Sequence, residues 1–410
     1  MDFFKKFLSF ILSLYVCAVC TACTERSSSD TPDDKPDKVI VQDLDKYDME
    51  KYLEPIFEGK HVYNETAMLL KNTKDKLDAI SLYYPIKEIV SVRSFGLDVL
   101  YVAGKDYVLN DGKIEIPDGS ALYSVACPYG VYYQSNHIPN ANWPEVNGTG
   151  AQIMTEAQNG DKGLTKYQVA VTYTHDGVFG VEGPKDKSEK LPKTYFKLIS
   201  GNQINMVCLG DSISAGWTAS GYSMVNMKPF MPQYFNLVFN YLKEKVNGNI
   251  KTANLSVGGK TSDWGAAAKQ INDVVSKNPD LVIIAFGMNE GVDKNYINST
   301  YKRNIKSIMD KVRAVCPETE FILVATMLPN AEIGFVKGVS VLQQQGNYLA
   351  SLNELESEYE GVAVADVTTI SKEILSKKAF RDVSANNINH PNDYMQRVYA
   401  QIVLRTLIGK

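Results

Sequence analysis

The sequence predicts a three-layer α/β domain built on a parallel sheet, preceded by a β-rich domain of β-sandwich, jelly-roll-like type. Three observations predict it. From Ile204 onward, short apolar strand-like runs alternate with stretches whose apolar residues recur at helical spacing, the pattern of a parallel sheet covered on both faces. Before that, residues 40–200 carry short apolar runs broken by frequent turn signals. A chain of 410 residues is also long for one domain.

The N-terminus reads as a targeting segment. Lys5 and Lys6 precede an apolar run from Phe7 to Val19 that is too short for a comfortable membrane span. Cys20-Thr21-Ala22-Cys23 follows. Small residues before a cysteine resemble the lipobox of bacterial lipoproteins. The resemblance implies a signal peptide at 1–23, Cys23 as the lipidated first residue of the mature chain, and a lipid-anchored place in the cell envelope, on the outer-membrane surface or in the periplasm. An ordinary signal peptide cleaved nearby is the alternative. Residues 24–39, rich in Ser, Asp and Pro, read as a disordered tether. Their acidic stretch near Asp30 to Asp37 resembles the surface-export signal of Bacteroidota lipoproteins.

The β-rich domain is placed at 40–198. Leu97 to Val102, Tyr107 to Leu109 and Lys113 to Ile116 read as three consecutive strands, joined at Gly104-Lys105 and at the hairpin signal Asn110-Asp111-Gly112. Tyr167 to Thr174 alternates and reads as a further strand. The tyrosines here, Tyr123, Tyr129, Tyr132 and Tyr133 among them, fit a sandwich core and rim, or an aromatic platform for sugar. A short connection at Leu191-Pro192-Lys193 leads to the second domain, 199–410.

In that domain Ile204 to Leu209, Thr252 to Leu255, Leu281 to Phe286, Phe321 to Thr326 and Val362 to Val367 read as strands. Pro232 to Val246, Ala266 to Ser276, Tyr301 to Cys316, Val341 to Tyr359 and Tyr394 to Ile408 read as helices. No internal repeat is evident. A net charge of −4 without a basic patch argues against nucleic acid as a partner. Beyond the leader only Cys127, Cys208 and Cys316 remain, an odd set without close pairs, so neither a disulfide framework nor a metal site is expected, and no cofactor.

The chemistry-bearing stretch is Met206 to Ser214, an apolar run ending in Gly210-Asp211-Ser212-Ile213. A serine at the carboxyl end of a buried strand lies where open α/β sheets place their chemistry. Its hydroxyl is a poor nucleophile until a base takes the proton. His390 is the only histidine of the second domain, since His61, His137 and His175 lie in the β-rich half.

Three later segments accompany Ser212: Asn254-Leu-Ser-Val-Gly-Gly-Lys-Thr261, Gly287-Met288-Asn289-Glu290 after the third strand, and His390-Pro391 before the last helix. In that order they resemble the four sequence blocks of the SGNH (GDSL-type) hydrolases, over residues 204–410. The resemblance implies a flavodoxin-like α/β/α fold and Ser212 as nucleophile with His390 as base. It also implies an oxyanion hole made by the backbone N–H groups of Ser212 and Gly259 and the side-chain amide of Asn289. The departure is at the third member, where the family has Asp three residues before its His and this chain has Asn387. His390 then works as a dyad, or Asp382 or Asp393 stands in, or activity is weak or lost. Glu290 reads as a loop-bracing carboxylate. The function implied is a serine esterase acting on small acyl esters, acetyl foremost, on carbohydrate, with membrane contact through the N-terminal lipid only. The alternatives are a lipase or lysophospholipase, and a weak or inactive glycan-binding lipoprotein.

Overall fold

The computed structural model describes residues 39–40, 49–72, 74–127, 132–134, 151–153, 155, 163–292, 296–333, 335–336, 339–340 and 344–410. The leader, the tether, Cys23, Tyr129 and His137 lie outside these. The described residues belong to one compact unit.

The N-terminal part holds strands β1 (Val39–Ile40), β2 (His61–Met68), β3 (Glu88–Ser94), β4 (Val99–Tyr101), β5 (Val108–Asn110), β6 (Lys113–Glu115), β7 (Tyr132–Gln134), β8 (Ala151–Ile153) and β9 (Gln168–Thr174), with helix α1 (Met49–Tyr52) ahead of β2. Its main sheet is antiparallel in the order β1-β4-β3-β9-β2. β5 and β6 form the expected hairpin, with Asn110 opposite Lys113. Asp111 and Gly112 both take positive φ (45° and 71°), as the two central residues of a type I′ turn require. β4 pairs with β3 and β1 rather than continuing into β5. Tyr83, Tyr84, Tyr101, Tyr107 and Tyr173 are buried in the core of this part.

Helix α2 (Pro192–Ile199) leads into the C-terminal part, in the order β10 (Ile204–Gly210), α3 (Ser212–Ala215), α4 (Tyr234–Lys245), β11 (Ile250–Asn254), α5 (Ser262–Gly265), α6 (Ala268–Val275), β12 (Leu281–Ala285), α7 (Asn298–Arg313), β13 (Glu320–Ala325), the pair β14 (Phe335–Val336) and β15 (Val339–Ser340), α8 (Tyr348–Glu358), β16 (Val362–Asp366), α9 (Val367–Lys377), α10 (Phe380–Val383) and α11 (Asp393–Ile408). The five long-run strands form one parallel sheet ordered β11-β10-β12-β13-β16. In chain order of those strands this is 2-1-3-4-5, the flavodoxin-like arrangement expected. Strand residues alternate between two cores. Met206, Cys208, Ile283, Ile322 and Ala363 share one with α4, α9 and α11. Val207, Leu209, Ile284, Leu323 and Val364 share the other with α6, α7 and α8. Both faces are covered, so β10, β12, β13 and β16 are mainly apolar rather than alternating in polarity, whereas the edge strand β11 (Ile-Lys-Thr-Ala-Asn) is not.

The core on the α4–α9–α11 side runs on into the N-terminal sheet. This explains why α11 is buried around most of its circumference: one side faces the parallel sheet and the other meets β2. Buried polar groups join the two parts. Gln168 Nε2 donates to the carbonyls of Arg381 and Ser384, both at 2.7 Å. Asn392 Nδ2 donates to Thr66 Oγ1 (2.9 Å) and Gln168 Oε1 (3.0 Å). Lys378 pairs with Glu65 at 2.7 Å with both side chains fully buried.

Candidate active site

In a 2-1-3-4-5 sheet the strand order reverses between the first and third strands, and the crevice outside their carboxyl ends is where ligands bind. Here those strands are β10 and β12, in register with Gly210 opposite Ala285. Ser212 follows the first and Asn289 the third. Gly210 is required for close packing: a Cβ there would lie 2.5 Å from the Ala285 carbonyl and 2.8 Å from Ser214 Oγ.

Beyond Gly210 the chain turns into the short helix α3. Asp211 caps it, its carboxylate accepting from Ile213 N–H at 2.9 Å. Ser212 is the first helical residue, so its N–H is not used by the helix. The loop after α3 meets the segment carrying His390: Thr218 Oγ1 donates to the Pro391 carbonyl (2.6 Å). Ser220 N–H and Oγ both donate to the carboxylate of Asp393 (2.8 and 2.5 Å). These contacts bring together two residues 178 apart in sequence. His390 Nε2 and Ser212 Oγ lie 2.8 Å apart.

The loop after β11 is tied to the same place. Asn254 Nδ2 donates to the Ser214 carbonyl at 2.7 Å, and Val257 N–H to the Gly210 carbonyl at 3.0 Å. Gly259 sits at φ 73°, where a side chain would be strained, and a Cβ there would meet open space. Asn289 Nδ2 donates to the Lys260 carbonyl at 2.8 Å, which fixes its amide beside the Gly258-Gly259 turn and leaves a second N–H. Glu290 braces this loop as expected, accepting from Ser262 N–H (2.6 Å) and Gly287 N–H (2.9 Å).

The third position is corrected. Asn387 takes φ 58°, and its carbonyl and Oδ1 accept from Asn330 Nδ2 at 2.9 and 3.1 Å. The amide on the imidazole Nδ1 belongs to Asn386 instead, with Nδ2 at 2.8 Å. The two carboxylate stand-ins are engaged elsewhere. Asp382 Oδ1 accepts from Met68 N–H at 2.8 Å, and Asp393 holds Ser220.

Burial sets the electrostatics. It pushes the imidazole of His390 down to about 4. It pushes Asp211 up to about 7, with the nearby Glu290 charge adding to the rise. Asp393 goes up to about 6 for the same reason, against the pull of its Ser220 bonds. Asp211, Asn386 and Trp217 gain no role from the sequence blocks alone. The indole of Trp217, half-exposed, lies over the His390 ring (centroids 6.3 Å apart, planes at 19°). It also fills the space beside Gly258, where a Cβ would come within 2.8 Å of it. Among the described residues, no group of His, Cys, Asp and Glu is arranged to hold a metal ion.

A hydroxyl at hydrogen-bond distance from an imidazole, beside backbone and amide N–H donors at a sheet's switch point, is the equipment of acyl transfer through serine. No curated protein matches the chain. Among solved structures, the two-domain esterase CEX, active on acetylated mannans, is 21% identical over 55% of this chain and 54% of its own (TM-score 0.42). This chain thus spans about half the length of that esterase. Axe2, an acetylxylan esterase from Geobacillus stearothermophilus, is 18% identical over 52% of this chain and 96% of its own (TM-score 0.41). Residues 208–398 match the model of the GDSL-like Lipase/Acylhydrolase family, and the C-terminal part of this chain is a domain of that family.

Proposed function

We propose that the chain is a serine esterase that removes small acyl groups, acetyl foremost, from carbohydrate. The observation that carries the reading is the 2.8 Å contact between Ser212 Oγ and His390 Nε2. Ser212 Oγ attacks the ester carbonyl while His390 takes its proton. The N–H groups of Ser212, Gly259 and Asn289 stabilise the oxyanion. His390 then passes the proton to the departing sugar hydroxyl, and water releases the acyl group in a second round.

Trp217 supports the carbohydrate part. A half-exposed indole face beside the nucleophile, set against Gly258 and over His390, suits the apolar face of a sugar ring. We also propose attachment to the cell envelope through lipid on Cys23. Among the described residues no helix is long and apolar enough to cross a membrane.

The test is hydrolysis of p-nitrophenyl acetate by protein lacking residues 1–23, beside Ser212→Ala, followed by acetate release from a panel of acetylated glycans. Turnover and fluorophosphonate labelling are expected in the parent and neither in the variant. Equal labelling of both would remove Ser212 from the role.

A further inference from the structure

The loop from Ser384 to Pro391 is built around the side chain of Asn386. Its Oδ1 accepts from three backbone N–H groups, those of Ile388 (2.9 Å), Asn389 (3.1 Å) and His390 (3.1 Å). Three donors converging on one atom identify that atom as the oxygen, because a reversed amide would aim its own N–H bonds at three others. The other end of the amide is therefore the NH2 group. One of its hydrogens goes to Asn389 Oδ1 (3.2 Å) and the other to His390 Nδ1 (2.8 Å).

A nitrogen that receives a hydrogen bond carries no proton. In neutral imidazole one ring nitrogen bears the hydrogen and the other the lone pair. We infer that Asn386 sets the tautomer of His390, leaving Nδ1 bare and placing the proton on Nε2, so that Ser212 Oγ accepts the hydrogen bond from His390 instead of donating it.

The consequence rests on the esterase reading above. To take the Ser212 proton, Nε2 must offer its lone pair, and the ring's own proton must sit on Nδ1. There it meets the N–H of Asn386 head-on. The charged imidazolium formed after the transfer also carries a proton on Nδ1 and is opposed in the same way. Turnover therefore passes through a minor state in which the Nδ1 contact is broken. The amide cannot simply reverse without giving up its three backbone donors. Asn386 is thus a positioning residue that holds the resting dyad in its unreactive form. Replacing Asp by Asn beside the histidine of a serine protease, which imposes the same wrong tautomer, lowers kcat by about 10⁴.

Asn386→Asp is the matching perturbation. One carboxylate oxygen keeps the three backbone N–H bonds, and the other accepts from Nδ1–H. The chain should then gain roughly 10² to 10⁴ in kcat on p-nitrophenyl acetate, with KM little changed. The tautomer itself is read without turnover, from long-range ¹H–¹⁵N spectra of labelled protein at pH 7, with His390→Gln used to assign the ring. In the parent, Nδ1 should appear unprotonated and Nε2 protonated. In Asn386→Asp, Nδ1 should become protonated. A parent ring with its proton on Nδ1 overturns the inference. So does a folded Asn386→Asp protein with unchanged kcat while the parent turns over. A chain inert before and after the change, with the parent proton on Nε2, leaves the tautomer assignment standing and removes the esterase reading instead.

Discussion

Asp211→Asn tests how the nucleophile's own turn is held. Asp211 is buried, and its carboxyl is pushed from 3.8 up to about 7, mainly by loss of water and secondarily by Glu290. A carboxyl raised in the folded state favours folding most when protonated. Its contribution is fully present below the unfolded value and is lost as pH rises through the folded one. A tenfold change in a protonation equilibrium is worth about 1.4 kcal/mol. Holding this carboxyl in the fold therefore costs about 2 kcal/mol at pH 5.5, where it is protonated in the fold but ionised in the unfolded chain, and about 4 kcal/mol by pH 8.5, where it is ionised in both. Asn carries no such penalty. It keeps the cap on Ile213 N–H, but it sets an NH2 group against the Met288 N–H that also donates to the carboxylate. That conflict subtracts about 1–3 kcal/mol at every pH. The readout is therefore the pH dependence of the difference. Urea unfolding of parent and variant at both pH values should show the variant gaining about 2 kcal/mol on the parent between pH 5.5 and 8.5. A difference that stays flat over that range would mean that Asp211 is already ionised at ordinary cost, and the burial argument would fail.

Other outcomes are expected. Asn289→Ala should lower kcat by roughly a hundredfold with little change in KM, because an oxyanion donor acts on charge that appears only in the transition state; a change confined to KM would place Asn289 on ground-state substrate. The acidic limb of kcat/KM should fall between pH 4 and 6.5, since burial lowers the His390 imidazole while its ring keeps a solvent-facing edge; a limb above 6.5 would show a carboxylate near the ring. Asn392→Ala takes a donor from Gln168 Oε1 and Thr66 Oγ1 and the cap from Met395 N–H and should cost about 1–3 kcal/mol, with faster amide exchange at 384–391. Unchanged exchange there would detach the His loop from the N-terminal sheet.

Ser212 and Asn289 are legible in the sequence because each depends on local order, a strand and then a turn, and His390 because it sits in a polar loop just before a helix of clear period. The alternation of strands and helices is legible for the same reason. Of the helices that escape notice, most are single turns, and the two longer ones are α2 and α9. Pro192 reads as a linker proline, yet proline is at home in the first turn of a helix, and α2 begins on it. Val367 looks like the end of a β-branched run, but Asp366 accepts from Thr369 N–H and starts α9. In the N-terminal part, β2 shows no alternation because Asn64, Glu65 and Thr66 are all buried. They meet Arg397, Lys378 and Asn392 from 300 or more residues away, and no local pattern announces such partners. The choice between Asn386 and Asn387 is hidden more deeply. It turns on one backbone angle, the positive φ of Asn387, which sends that side chain toward Asn330 and leaves the ring to its neighbour.

The same geometry explains why the N-terminal part matters to a site that lies wholly in the other. His390 hangs on a loop between α10 and α11, and one side of the base of that loop is anchored by β2 and β9. Thr66 and Met68 hold Asp382, Gln168 holds Arg381 and Ser384, and Asn392 closes the circuit back to Thr66 and Gln168. From the other side Ser220 and Thr218, on the loop that follows Ser212, hold Asp393 and Pro391. The loop is thus clamped at both ends, and its centre is filled by one amide with three backbone N–H groups. A charged partner for His390 would have to enter a nearly closed shell, and the two acidic residues within reach in sequence already serve as clamps. That is why neither Asp382 nor Asp393 is free to become the third member. A change in the imidazole's partner must come at position 386, where the carboxylate would inherit the same three N–H bonds.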